Sequence, residues 1–149
     1  MSHDSELPPA LRFDNQFCFP LYSAANAVVR AYRPYLDPLD LTYLQYIVMM
    51  VLWEKDGISV GELGDKLHLD SGTLTPLLKR LEAKGLLQRH VSARDERVKL
   101  LHLTKEGKAL SQQAKDIPLQ VLCDTGAGAE QLNQLKQQCE VLLQRLEKA

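Results

Sequence analysis

Apolar positions recur at three- and four-residue steps near both ends of the chain and gather into blocks between them. Phe13, Phe17, Leu21, Ala25, Val28 and Tyr32 follow the first such rhythm. They predict a helix from Asp14 to about Leu36, with Asp14 as its N-cap. Pro20 and Pro34 fall near its two ends, where proline does least harm. Asp37-Pro38 reads as a turn. A second helix is expected to open at Thr42 and run through Tyr43–Glu54, apolar on most sides and therefore buried, stopping at Asp56-Gly57. Ser59-Val60-Gly61-Glu62 has capping-box spacing, with Glu62 placed to reach back to the Ser59 amide, and the helix behind it ends near Leu67.

Leu74, Leu77, Leu78 and Leu81 then form the buried stripe of an amphipathic helix that Gly85 terminates. Pro76 deprives the Gly72 carbonyl of its usual donor, so an irregular first turn is expected. Leu86–Val91 and Val98–Leu103, joined by the charged turn Ser92–Arg97, read as a β-hairpin. Thr104 caps a helix over about Lys105–Asp116, interrupted near Pro118, and Gly126-Ala127-Gly128 is a joint. Glu130–Glu147 carries Leu132, Leu135, Cys139, Leu142 and Leu146 on a heptad-like seam suited to another helix. The fold class is mainly α with a small β-hairpin wing: a winged helix-turn-helix flanked by N- and C-terminal dimerisation helices.

Charge sharpens this picture. The chain has 149 residues, 45% hydrophobic and 25% charged, and a net charge of −1. From Ser71 to Lys108, however, nine Lys/Arg face four Asp/Glu, a net +5 on an otherwise acidic body. That is the footprint of a phosphate-binding site or, more plainly, a solvated charged face. Met1–Ala10 shows no apolar signal segment, and Ile47–Trp53 is far too short to span a bilayer. A cytoplasmic protein that makes no use of membranes is expected. Cysteines at 18, 123 and 139 make neither a disulfide framework nor a zinc motif. No cofactor is implied.

At a recognition helix, Ser71, Thr73 and Thr75 supply small polar groups for base edges, and Lys79 and Arg80 supply cations for phosphates. Ser71 and Thr73 would equally serve as helix caps. In the turn, Arg97 suits a narrow minor groove, Asp95 stands close enough to hold its guanidinium in a bidentate pair, and Arg94 would contact backbone. Cys18 lies near a helix start, where the helix dipole favours a thiolate. On an apolar face, though, a cysteine is ordinarily a small core residue. Tyr22 is one turn from it. Tyr32, fourteen residues on, lies about 21 Å away along a helix and cannot touch Cys18 of its own chain.

Asp95-Glu96-Arg97, Leu100, Leu103-Thr104 and Gly107 resemble the wing signature of the MarR family. The block Leu69–Glu82, with Asp14–Tyr22 and Leu41–Tyr46, is more specifically similar to the organic hydroperoxide regulators of that family. The resemblance covers roughly Phe13 to Leu146. It implies one domain over residues 1–149, with a winged-helix core at about 42–104 and dimerisation helices at 13–36 and 105–147. It implies a homodimer on a pseudo-palindromic double-stranded DNA operator, not an enzyme, with organic hydroperoxide as inducer. It further implies that Cys18 is the sensor, that Tyr32 and Tyr43 hydrogen-bond to it, and that Cys123 resolves it. If Tyr32 does so it comes from the partner subunit. Cys139, on the apolar seam, is expected to be structural. Three other functions stay open: a regulator governed by a small phenolic ligand with inert cysteines, a thiol peroxidase, and a dimeric interaction module without DNA contact. Within the sensor reading, a small cellular thiol in place of Cys123 also stays open as the group that captures oxidised Cys18.

Overall fold

The structure, a computed structural model, describes residues 6–148; residues 1–5 and 149, and with them half of the polar Met1–Ala10 stretch, lie outside the described residues. Helix α1 (Cys18–Leu36) is followed by α2 (Tyr43–Glu54), strand β1 (Ile58–Ser59), α3 (Val60–Leu67) and α4 (Ser71–Ala83). Strands β2 (Leu87–Val91) and β3 (Lys99–Leu103) form the hairpin, and α5 (Lys105–Ala114), α6 (Ile117–Asp124) and α7 (Ala129–Glu147) complete the chain. The sheet runs β1-β3-β2, antiparallel throughout, with Ile58 opposite Leu101 and Leu87 opposite Leu103. Two-residue β1, outside the expected hairpin, makes it three-stranded.

The core sits beneath α2 and α4. Tyr46, Val48, Met49 and Leu52 of α2 are buried against Leu74, Leu78 and Leu81 of α4, with Leu63, Leu87 and Leu101 closing the layer. Thr42 and Gln45 close a full capping box on α2, and Lys84 donates to Gln45 Oε1 at 2.8 Å, satisfying that buried amide. At α3 only half of the expected box forms: Ser59 Oγ accepts from Glu62 N at 3.0 Å, while Ser59 itself belongs to β1. Gly85 takes φ +75 at the end of α4, as a helix stop requires.

The chain corrects the expected start of α1. Phe13–Asn15 form a separate 3-10 turn, and the N-cap is Phe17 without a side-chain bond, so Asp14 does not cap the helix. The reason is local competition. Asn15 Nδ2 donates to the Pro9 carbonyl, and Gln16 Nε2 to the carbonyls of Ala10 and Arg12, folding this segment back on the residues before it. The expected irregularity at Pro76 is also absent: α4 runs unbroken from Ser71, and the donor lost at Pro76 falls on exposed Gly72 near the helix start.

The family-like signature residues have concrete tasks. Thr104 Oγ1 accepts from Gly107 N at 3.0 Å and donates to the Gly85 carbonyl at 2.6 Å, stitching the start of α5 to the end of α4. A Cβ on Gly107 would lie 2.0 Å from the Leu86 carbonyl oxygen, so no other residue fits there without movement. Its own carbonyl accepts from Trp53 Nε1 at 2.8 Å.

Candidate functional site

The recognition helix α4 is capped by Asp70, whose carboxylate accepts from Thr73 N at 2.8 Å. Bonds from Thr73 and Gly72 hold that carboxyl below its ordinary range. Ser71 and Thr73 are therefore not the cap, and both side chains are exposed. Helical spacing divides the polar set into two stripes: Ser71, Thr75 and Lys79 on one, Thr73 and Arg80 on the other. Thr75 lines a groove of about 450 Å³ with Ser59, Arg89, Arg97 and Lys99, which joins the recognition helix to the wing. Thr73 and Arg80 instead line an apolar cleft of about 550 Å³ with Val29, Tyr43, Leu44 and Pro76.

At the wing tip Arg97 is 91% exposed. The expected bidentate pair with Asp95 does not form. One oxygen, Asp95 Oδ1, accepts both from Arg97 N at 3.0 Å and from its Nε at 3.3 Å, leaving the terminal nitrogens of the guanidinium outside this pair. The Asp95 carbonyl also closes the turn by accepting from Val98 N at 3.0 Å. Arg94 is exposed, with its amide bonded to Ser92 Oγ. Sequence reasoning missed the brace behind this wing: Arg89 Nε of β2 donates to Glu82 Oε1 of α4, a half-buried ion pair. Its signal, an acid and a base flanking the helix-strand junction, was present in the sequence but not distinctive.

The second group lies on α1. Cys18 occupies its first position and is exposed, as are Cys123 at the end of α6 and Cys139 on α7. Cys139 was expected to be structural, yet α7 buries no residue in the isolated chain. Tyr22 is exposed, with its ring 6.2 Å from Phe19. Tyr32 and Tyr43 come together with ring centroids 5.1 Å apart, and Tyr46, which sequence reasoning did not single out, stands 5.6 Å from Tyr32. Burial raises all three hydroxyls above their ordinary value; Tyr46, with its two neighbours adding to the effect, is pushed up to about 12. They are hydrogen-bond donors at any physiological pH. Tyr32 lies fourteen residues from Cys18 on the continuous helix α1, about 21 Å, so cluster and thiol sit at opposite ends of one protomer.

A helix-turn-helix whose second helix presents an exposed polar arc, with a charged β-wing braced onto it, defines a transcriptional regulator of the winged-helix DNA-binding class. A family model described as transcriptional regulator SarA/Rot matches residues 30–114. The organic hydroperoxide resistance transcriptional regulator of Bacillus subtilis (strain 168) is 43% identical over 136 residues, 91% of this chain and 92% of that protein. Among solved structures, reduced AbfR bound to DNA aligns with TM-score 0.77 and 28% identity, over 92% of this chain and 95% of that one. Disulfide-formed AbfR aligns with TM-score 0.62 and 30% identity, over 90% and 94%; AbfR is from Staphylococcus epidermidis. The chain belongs to the MarR family of winged-helix transcriptional regulators, in its organic hydroperoxide resistance group. It is a regulator and not an enzyme.

Proposed function

We propose that two copies of this chain pair through α1 and α5–α7, bind a pseudo-palindromic operator in double-stranded DNA, and let it go when an organic hydroperoxide oxidises Cys18. The observation that carries this reading is the separation on α1. An exposed thiol at one end and a cluster of protonated tyrosines at the other complete each other only across a two-fold pair. Tyr32 and Tyr43 of one subunit then donate to the sulfur of the other's Cys18, with Tyr22 on the thiol's own helix beside it. The uncovered faces agree. Phe13, Phe17 and Phe19 are 45–75% exposed, and Leu135 and Leu146 of α7 are 52% and 65% exposed, more apolar surface than an isolated chain ordinarily leaves in water.

In this reading Ser71, Thr73, Thr75, Lys79 and Arg80 work at the major groove and its phosphates. Arg97, oriented by Asp95, enters the minor groove while Arg94 meets backbone. Cys123 captures oxidised Cys18 as a disulfide. It does so between subunits, because Asp124, next in sequence, is bonded to Tyr35, seventeen residues or about 25 Å along α1 from Cys18. A disulfide needs the two Cα atoms within about 7 Å. Such a protein works in a reducing cytoplasm, and among the described residues no helix is long and apolar enough to cross a membrane.

The test is a mobility shift on DNA from upstream of its own gene, with and without cumene hydroperoxide. Reduced protein is expected to bind, oxidised protein to release, and dithiothreitol to restore binding. Release of Cys18→Ser at the same dose as wild type removes Cys18 as the sensor. The cleft lined by Tyr43, Leu44, Pro76 and Leu77 favours a second reading, control by a small phenolic ligand. In that case hydroperoxide leaves Cys18 open to alkylation while the phenol alone releases DNA.

A further inference from the structure

Tyr35 stands one turn beyond Tyr32, half-buried near the end of α1 and outside the tyrosine cluster. Its hydroxyl donates to Asp124 Oδ2, joining α1 to the last residue of α6 across 89 positions of sequence. That acceptor is the main reason the Tyr35 hydroxyl titrates above its ordinary value, with desolvation second. Cys123 immediately precedes that carboxylate on α6, so the Tyr35–Asp124 bond ties the backbone that bears the thiol to α1. Beyond Asp124 the chain is shaped to turn: Thr125 Oγ1 donates to the Leu122 carbonyl at 2.6 Å, Gly126 takes φ +68, and α7 starts at Ala129. The Cys123 turn is therefore tied to α1 on one side and followed by a glycine joint on the other.

We propose that Tyr35 is a positioning residue for the disulfide step: its hydrogen bond to Asp124 holds Cys123 against its own protomer's α1, and opening of that bond limits how fast Cys123 reaches the partner's Cys18. The inference rests on the two-cysteine reading above. In the first step the Cys18 thiolate attacks the hydroperoxide, the O–O bond breaks, sulfur is oxidised to the sulfenic acid, and an alcohol leaves after taking up a proton. In the second, Cys123 sulfur forms the S–S bond as the sulfenic S–O bond breaks, and the hydroxyl leaves with the Cys123 proton as water. This step takes no further oxidant. Cys18 is the one sulfur that reacts in the first step and the Tyr35–Asp124 bond restrains only Cys123, so only the second step should respond to it.

The experiment gives reduced, purified full-length protein one equivalent of cumene hydroperoxide per chain. Timed samples are quenched with dimedone and iodoacetamide and read by intact mass, which separates thiol, sulfenic acid and disulfide. Tyr35→Phe and Asp124→Ala are each expected to speed the second step by about three- to tenfold, the range for net loss of one ordinary hydrogen bond at a partly exposed site. Both leave the first step unchanged. The double variant should be no faster than either single one, because both remove the same bond. Asp124→Asn, whose amide oxygen still accepts from Tyr35, should stay near wild type. A merely structural role would move the melting temperature and both steps together. Unchanged or slower disulfide formation in Tyr35→Phe and Asp124→Ala overturns the proposal, as does an additive double variant. If Tyr35→Phe fails to fold, exposed Asp124 carries the comparison alone through Ala against Asn. A disulfide that still forms in Cys123→Ser overturns the two-cysteine reading itself, whereas one that needs Cys123 but ignores Tyr35 and Asp124 overturns only the latch.

Discussion

Arg97 owes its orientation to one carboxylate oxygen, which takes both its amide and its Nε and leaves the rest of a 91% exposed side chain open to solvent. Arg97→Ala should weaken operator binding by roughly 1–3 kcal/mol in a fluorescence titration at moderate salt, with the thermal melt unchanged. Equal affinity for the variant removes Arg97 from the interface. Gly107 makes the opposite case, a residue whose importance is steric. Adding a Cβ 2.0 Å from the Leu86 carbonyl forces the start of α5 away from the hairpin. Gly107→Ala should cost about 3 kcal/mol, the upper end for an overpacked site, measured by urea unfolding. Both residues belong to the same sequence signature, yet one is assigned to the ligand by the proposed function and the other is fixed by the fold.

Among the elements, α4 was the most legible. Its leucine stripe, its Gly85 stop and its exposed polar arc all follow from spacing alone, as does the hairpin. What escaped has physical reasons. The start of α1 was misplaced because Asn15 and Gln16 bond backwards, a choice that periodicity does not record. Strand β1 is two residues long, too short for a period of two, and exists only because β3 pairs with it from forty residues away. Tyr46 looked like plain core, and its ring does lie there, 1% exposed, but it also closes the tyrosine cluster. The Asp70 cap was not singled out in the sequence, because Ser71 and Thr73 just after it are residue types that cap equally well.

That cap carries a pH signature. Its carboxyl titrates below the ordinary 3.8 in the folded protein, so its contribution is full above the unfolded value and is lost as pH falls through the folded one. Asp70→Asn can still accept from Thr73 N but does not titrate, so the fall in melting temperature between pH 5 and 3 should be shallower than in wild type. Parallel acid limbs would rule the effect out. Tyr46 acts at the other extreme: with its hydroxyl pushed from 10 to about 12 by burial, stability should hold up to pH 10 and decline from there towards 12. Tyr46→Phe should flatten that alkaline limb in pH-dependent melting.

At the scale of the whole molecule, α4 and the Cys123 turn sit on one continuous frame. The last helix begins just past Cys123 and ends with Glu147 bonded to His68 at 2.6 Å, beside the start of the recognition helix. A pull on Cys123 therefore has a path through α7 to the segment that sets α4. The proposed two-fold arrangement was the least legible part, because sequence alone supplies no distance between subunits. The helix length of α1 supplied the exclusion, by keeping Tyr32 and Cys123 away from the Cys18 of their own chain. A non-reducing gel of protein oxidised with cumene hydroperoxide, without added thiol, tests this most directly. A linked dimer should appear in wild type and in Cys139→Ser, and vanish in Cys18→Ser and in Cys123→Ser. A band that survives loss of Cys18 or Cys123 and is lost only in Cys139→Ser would contradict the assignment and make the cysteine of α7 the resolving one.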